Sequence, residues 1–240
     1  MKTIVHKADS RGTADYGWLN THYTFSFANY YNPERIHFGA LRVLNDDVID
    51  GGLGFDRHPH DNMEIITIPL EGEIRHKDSM GNTFVVKKND VQIMSAGTGI
   101  FHSEYNNLPD TKLELLQIWV FPEKKNIQPR YDQLTFDPSL RLNQWQRLVS
   151  PSEPEAAKIM QQAYFSRVTL ESGKSIAYAV HGEKQGIYLF IIAGSVTVGD
   201  LKLENRDGVG ISGVETLQLE ASQDADILLM EIPMMNDSLN

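Results

Sequence analysis

The sequence predicts an all-β protein made of two sandwich or barrel domains. Three observations carry that expectation. Short runs rich in Val, Ile, Phe and Tyr recur, turn residues punctuate them at intervals of about 8–12 residues, and long helical patterns are scarce. Taken in order, residues 65–68, 83–86, 91–94 and 115–120 are the apolar runs of the first half. Between them lie Leu70-Glu71-Gly72-Glu73, Ser79-Met80-Gly81-Asn82 and Lys88-Asn89-Asp90, whose Gly and Asn supply the positive φ that tight turns need. In the second half, residues 186–194, 195–200 and 226–232 repeat the texture. An apolar strand running into a glycine recurs at 65–72 and 188–194. The turns Asn89-Asp90 and Arg206-Asp207 follow in matching places. Two β domains of one design is the economical reading.

The first domain is expected over residues 1–125 and the second over 151–240. Residues 126–150 form the connector, in a polar stretch punctuated by Pro122, Pro129, Pro138, Pro151 and Pro154. Residues 158–163 fit a short helix or a strand, since periodicity does not decide over so few positions. The last residues, 236–240, read as a frayed end.

Composition excludes several functions. The 240 residues are 41% hydrophobic and 22% charged, an ordinary globular balance with room for a sizeable core. There is no cysteine, which removes disulfides, thiolate catalysis and Cys-type zinc sites. The net charge of -10 argues against direct nucleic-acid or anionic-lipid binding, because phosphate recognition needs a basic surface. The opening residues lack the apolar core of a signal peptide, and no apolar run approaches the roughly 18–20 residues of a membrane span. The expectation is a cytoplasmic protein without a membrane partner.

Two stretches carry chemistry. In the first, His58 and His60 stand two apart, so on a strand both imidazoles share a face and can converge on one ion. Alone, that spacing is weak. The second stretch places His102 and Glu104 at the same spacing after a glycine turn. The strands between the two dyads are enough to bring the second back across a small barrel from the first. Three imidazoles and a carboxylate suit a borderline divalent metal, and four protein ligands leave open positions for substrate.

These residues also carry a family resemblance. Gly52, five residues, His58, one residue, His60, three residues and Glu64 match the first cupin motif. Gly99, two residues, His102, three residues and Asn106 match the second. The segment from His22 to Tyr31, His58-Pro59-His60, and Met94-Ser95-Ala96-Gly97-Thr98-Gly99 before His102-Ser103-Glu104 resemble the pirin family of bicupins. The likeness is specific over about 10–125 and architectural over about 150–240. It implies two cupin domains, with metal ligands His58, His60, His102 and Glu104. General cupins use instead the glutamate of the first motif. That makes Glu64 the rival ligand or an orienting neighbour, and its spacing of four from His60 gives it the same strand parity. The second domain holds a single histidine, His181, and is expected to be metal-free.

The resemblance implies quercetin 2,3-dioxygenase activity at one divalent metal, iron(II) being the first expectation, with manganese, nickel, cobalt, copper or zinc as alternatives. The partners are then a small aromatic enol or phenol and O₂, with Glu104 as ligand and general base. Two alternatives stay open at this point: a metal-dependent module that binds a protein partner, and an isomerase or hydrolase using the metal as Lewis acid. His6, His22, His37, His76 and His181 read as structural or exposed. Phe25, Phe27, Phe38, Phe101 and Trp119 suit either core packing or the lining of an apolar cavity.

Overall fold

The computed structural model describes residues 1–235. The expected frayed end at 236–240 lies outside the described residues. Among these, strands dominate, the helical elements being the short 3-10 turns Ala8–Ser10 and Pro138–Arg141. Among the described residues, no helix is long and apolar enough to cross a membrane.

The first domain closes a four-stranded sheet over a seven-stranded one. The small sheet runs Gly54–His60, Ile100–Asn106, Glu73–Asp78, Thr83–Lys87. The large one runs Arg130–Thr135, Asp90–Ser95, Glu64–Glu71, Leu113–Val120, Leu41–Ile49, Leu19–Tyr23, Gly12–Asp15. The central strands Asp90–Ser95, Glu64–Glu71 and Leu113–Val120 are buried on both faces, so they read as largely apolar runs rather than as alternations. Along Glu64–Glu71, Ile65 and Thr67 face the interior of the first domain, while Ile66, Ile68 and Leu70 face the second.

The second domain curls a nine-stranded sheet around its own core, with Gln185–Val198 and Thr216–Pro233 as long central strands. Alternation is again strict. Ile187, Leu189 and Ile191 join Val209, Leu217 and Ile227 in its interior, and Tyr188, Phe190 and Ile192 face outward. The outward set packs with Ile66, Ile68, Leu116 and Ile118 into one cluster, so the two domains meet through a core rather than a wet interface. The segment 126–150 supplies a strand to each domain: Arg130–Thr135 pairs with Asp90–Ser95, and Gln146–Ser150 with Tyr164–Leu170. Of residues 158–163, Lys158 ends a two-residue strand parallel to Gln146–Ser150, and the remainder forms no regular element. The strand Lys2–His6 belongs to the far sheet, pairing with Gly208–Ser212.

Inside the first domain, side chains stack in layers. Leu19, Ile49, Ile74, Val86, Leu113 and Leu115 plug one end. Ile65, Met94, Ala96 and Ile100 gather at the other. Between these apolar layers lies a polar belt, and it holds the candidate site.

Candidate metal centre

The two His-containing strands are neighbours in the small sheet. Gly54–His60 pairs antiparallel with Ile100–Asn106, placing His102 opposite His58 and Ile100 opposite His60. The dyads therefore meet side by side on one wall, not across the barrel as the intervening strands suggested. An extra residue bulges from Gly54–His60 between the His102 and Glu104 positions, so that Phe55, not Asp56, stands opposite Glu104. The bulge keeps Phe55, His58 and His60 on the inner face. Candidate ligand atoms of His58, His60 and His102 lie within 4.8 Å of one another. Glu104 meets His102 on its other side, in a fully buried group with His76 under the same limit. All four predicted residues line one cavity of about 230 Å³, with Phe27, Phe55, Ile65 and Trp119 supplying its apolar walls.

The hydrogen-bond pattern tests whether a cation fits. His58 Nδ1 lies 2.7 Å from the Asp56 carbonyl, which can only accept. That nitrogen therefore carries the proton, and Nε2 keeps a free lone pair. His102 is 1% exposed, and neither of its ring nitrogens has a hydrogen-bond partner among the described residues. A buried imidazole with two unmet nitrogens is costly, and a metal ion is the partner that such a nitrogen serves without a proton. Burial, reinforced by the neighbouring imidazoles, lowers the pKa of His60 to about 3 and that of His102 to about 3. Both are held neutral, the form that ligates. These residues fit a divalent ion.

Glu104 is 2% exposed and fixed from behind. Gln117 Nε2 donates to Glu104 Oε2 at 3.1 Å. The Thr67 hydroxyl lies 3.4 Å from Glu104 Oε1 and 3.3 Å from Gln117 Oε1, and can serve one of them at a time. Gln92 Nε2 donates to Thr67 Oγ1 at 3.4 Å, and Tyr131 closes the far end of the chain on Gln92 Oε1 at 3.3 Å. The carboxylate thus sits at the head of a neutral relay spanning four strands of the large sheet. Residues Thr67, Gln92, Gln117 and His76 lay outside the expected site. Each stands on the inward parity of its strand; His76 lies directly opposite Glu104 and leans on Asp78 through Nε2 at 3.3 Å.

Glu64 faces the other way. The chain leaves the small sheet after His60, turns through Asn62 at φ 46 and enters the large sheet. Parity counted from His60 does not survive that transfer. Glu64 Oε2 accepts from Ser95 Oγ at 2.8 Å and from the Met160 amide of the second domain at 3.0 Å. Burial raises its pKa. It fastens the domains and does not orient an imidazole. Among the aromatic candidates, Phe27 and Trp119 line the cavity and Phe25 and Phe38 fill the interdomain core. Phe101 lies on the outer face beneath the Arg57 guanidinium, 3.9 Å from its centroid. His181 stacks on Tyr164 and bonds Glu231 at 2.7 Å.

Two cupin-type β domains, one of them walled by converging imidazoles and a carboxylate, define a metal-binding bicupin. Residues 5–120 match the Pirin family model, and 147–232 match that of the quercetinase C-terminal cupin domain. The chain is 41% identical over 230 residues to the quercetin 2,3-dioxygenase of Escherichia coli K12, covering 95% of this chain and 98% of that one. It is 39% identical over 225 residues to a pirin-like protein of Caulobacter vibrioides, covering 93% and 96%. Among solved structures, the bacterial pirin YhhW of E. coli in complex with nickel(II) superposes with a TM-score of 0.92 at 40% identity, over 98% of this chain and 100% of that one. The chain belongs to the pirin family.

Proposed function

We propose that this chain is a metal-dependent dioxygenase of the quercetinase type, holding its ion with His58, His60, His102 and Glu104. The observation that carries the reading is His102: it is buried, neutral and without a hydrogen-bond partner on either nitrogen, beside two further imidazoles and at the wall of an aromatic-lined cavity. Iron(II) is the ion we assign first, and the nickel complex of the related pirin makes nickel(II) the nearest alternative. When bound, the ion polarises a chelating enol or phenol oxygen and mediates electron transfer to dioxygen.

The protein's own groups do the remaining work. Phe27, Phe55, Ile65 and Trp119 exclude water and hold a flat ring by its faces. Glu104 stands at the cavity wall as the base for the hydroxyl proton of the substrate. Gln117 and Thr67 keep its carboxylate aimed, so that accepting the proton requires no reorientation. For a flavonol the balance is one O₂ consumed, both oxygen atoms inserted as the ring opens, and carbon monoxide released.

The test is incubation of iron-loaded protein with quercetin in air and under nitrogen. Oxygen-dependent loss of flavonol absorbance with release of carbon monoxide is expected, together with at least a ten-fold fall in metal occupancy for His60→Ala without loss of fold. Absence of oxygen-dependent loss, or normal metal content in that variant, would refute the assignment.

A further inference from the structure

We propose that Asn45 and Asp47 select the substrate. They form a hydrogen-bond-accepting waist between two chambers, and require of a phenolic ligand with a pendant aromatic ring a hydroxyl on that ring. The proposal deepens the dioxygenase reading and rests on it.

Beyond the metal-side cavity lies a second one of about 240 Å³, lined by Tyr16, Trp18, Thr21 and Tyr23. The two share Phe27, Asn45, Asp47 and Phe55, so they adjoin at those residues. Each chamber alone is smaller than the roughly 300–1,000 Å³ usual for a small-molecule site, and together they fall within it. The walls of the second chamber are rings: Trp18 meets Phe55 edge-on at 5.2 Å, and Tyr23 lies 5.6 Å from Phe27. It suits a second aromatic ring.

The waist is polar. Leu41–Ile49 places Asn45 and Asp47 on its inward parity, each 4% exposed. Among the described residues, Asn45 Oδ1 and Asp47 Oδ1 have no hydrogen-bond partner. Asp46, between them, faces outward and is paired with Arg11 and Arg206, whereas Asp47 has no cationic partner among the described residues. A ligand group that reaches these oxygens satisfies them only by donating a hydrogen bond. A ligand that displaces water without replacing its hydrogen bonds loses affinity, and a buried acceptor left unmet costs more than a good bond returns. The waist therefore rejects an unsubstituted ring more strongly than it rewards a hydroxylated one.

The experiment titrates nickel(II)-loaded protein under nitrogen with 3-hydroxyflavone and with its analogues carrying one hydroxyl at the ortho, meta or para position of the pendant ring. In the wild type at least one analogue should bind about ten-fold tighter than 3-hydroxyflavone. In Asn45→Leu and Asp47→Leu that ratio should fall to about two or less, with nickel content unchanged. Asp47→Asn still offers an oxygen and should keep most of the preference; Asp47→Ala carries the same test if the leucine variant does not fold. A wild-type ratio near one, or a ratio unmoved in the variants, overturns the waist while leaving the dioxygenase reading standing. Failure of any flavonol to bind the nickel-loaded wild type overturns both.

Discussion

Replacing Gly54 with alanine should split the ligand set without altering a ligating side chain. Gly54 opens the strand that carries His58 and His60, and in register it lies against Tyr105 on the strand that carries His102 and Glu104. A β carbon at Gly54 would stand 2.2 Å from the Glu104 carbonyl oxygen and 2.5 Å from Tyr105 Cα. Both are backbone atoms, so no rotamer change relieves the clash. Non-bonded atoms settle near 3.5–4.0 Å, and the two strands must therefore part by about 1 Å or more. A constellation of this kind tolerates about 0.5 Å, and a misplacement of about 1 Å costs on the order of 10²-fold. The expected result is a ten- to hundred-fold weaker nickel(II) affinity in competition with a chromophoric chelator, beside an overpacking cost of about 1–3 kcal/mol in denaturant unfolding. Gly182→Ala, where a β carbon meets nothing within 4 Å, is the control. Wild-type affinity and stability in Gly54→Ala would show that the close strand contact does not set the site's geometry.

Three further outcomes follow from the same structure. Glu64→Gln should leave metal content unchanged, since Glu64 bonds Ser95 and Met160 and faces away from the cavity; metal analysis showing loss of the ion would return Glu64 to the site. Metal-free His102→Leu should unfold at about 1–2 kcal/mol higher stability than metal-free wild type, because two unmet buried nitrogens are removed, while losing the stabilisation that added nickel confers on the wild type. His6 is buried against the Tyr188 hydroxyl at 2.8 Å, and burial, with Arg35 nearby, lowers its pKa from 6.5 to about 4. The folded state binds this proton less readily than the unfolded chain. Stability of on the order of 3 kcal/mol should therefore be present above pH 6.5 and lost as pH falls towards 4. His6→Gln should flatten the acid limb of the stability curve, and an unchanged limb would contradict this.

Much of the site was legible because strands obey a period of two. The spacing of His58 with His60, and of His102 with Glu104, sufficed to place each pair on one face, and the structure keeps both pairs inward. The same rule misled at Glu64, because the turn at Asn62 moves the chain from one sheet to the other and restarts the count. Asn45-Asp46-Asp47 escaped notice for a different reason. A polar triplet reads as a turn, yet here it lies within a buried strand, its outer members in the belt and its middle one in an ion pair with Arg11 and Arg206. His76 was hidden by the commonness of single histidines, although Ile74, His76 and Asp78 alternate cleanly on one inward face. The long apolar runs gave away the strands, but nothing local in them tells which face meets the other domain.

The placement of Lys2–His6 bears on how such a chain is made. Its mate, Gly208–Ser212, lies roughly 200 positions downstream, so this edge cannot form until nearly the whole second domain has left the ribosome. Until then Ile4, Val5 and their neighbours wait unpaired. The strand acts as a late stitch, drawn through only after both halves exist, and a version severed between the domains would leave the far sheet with an open, adhesive border.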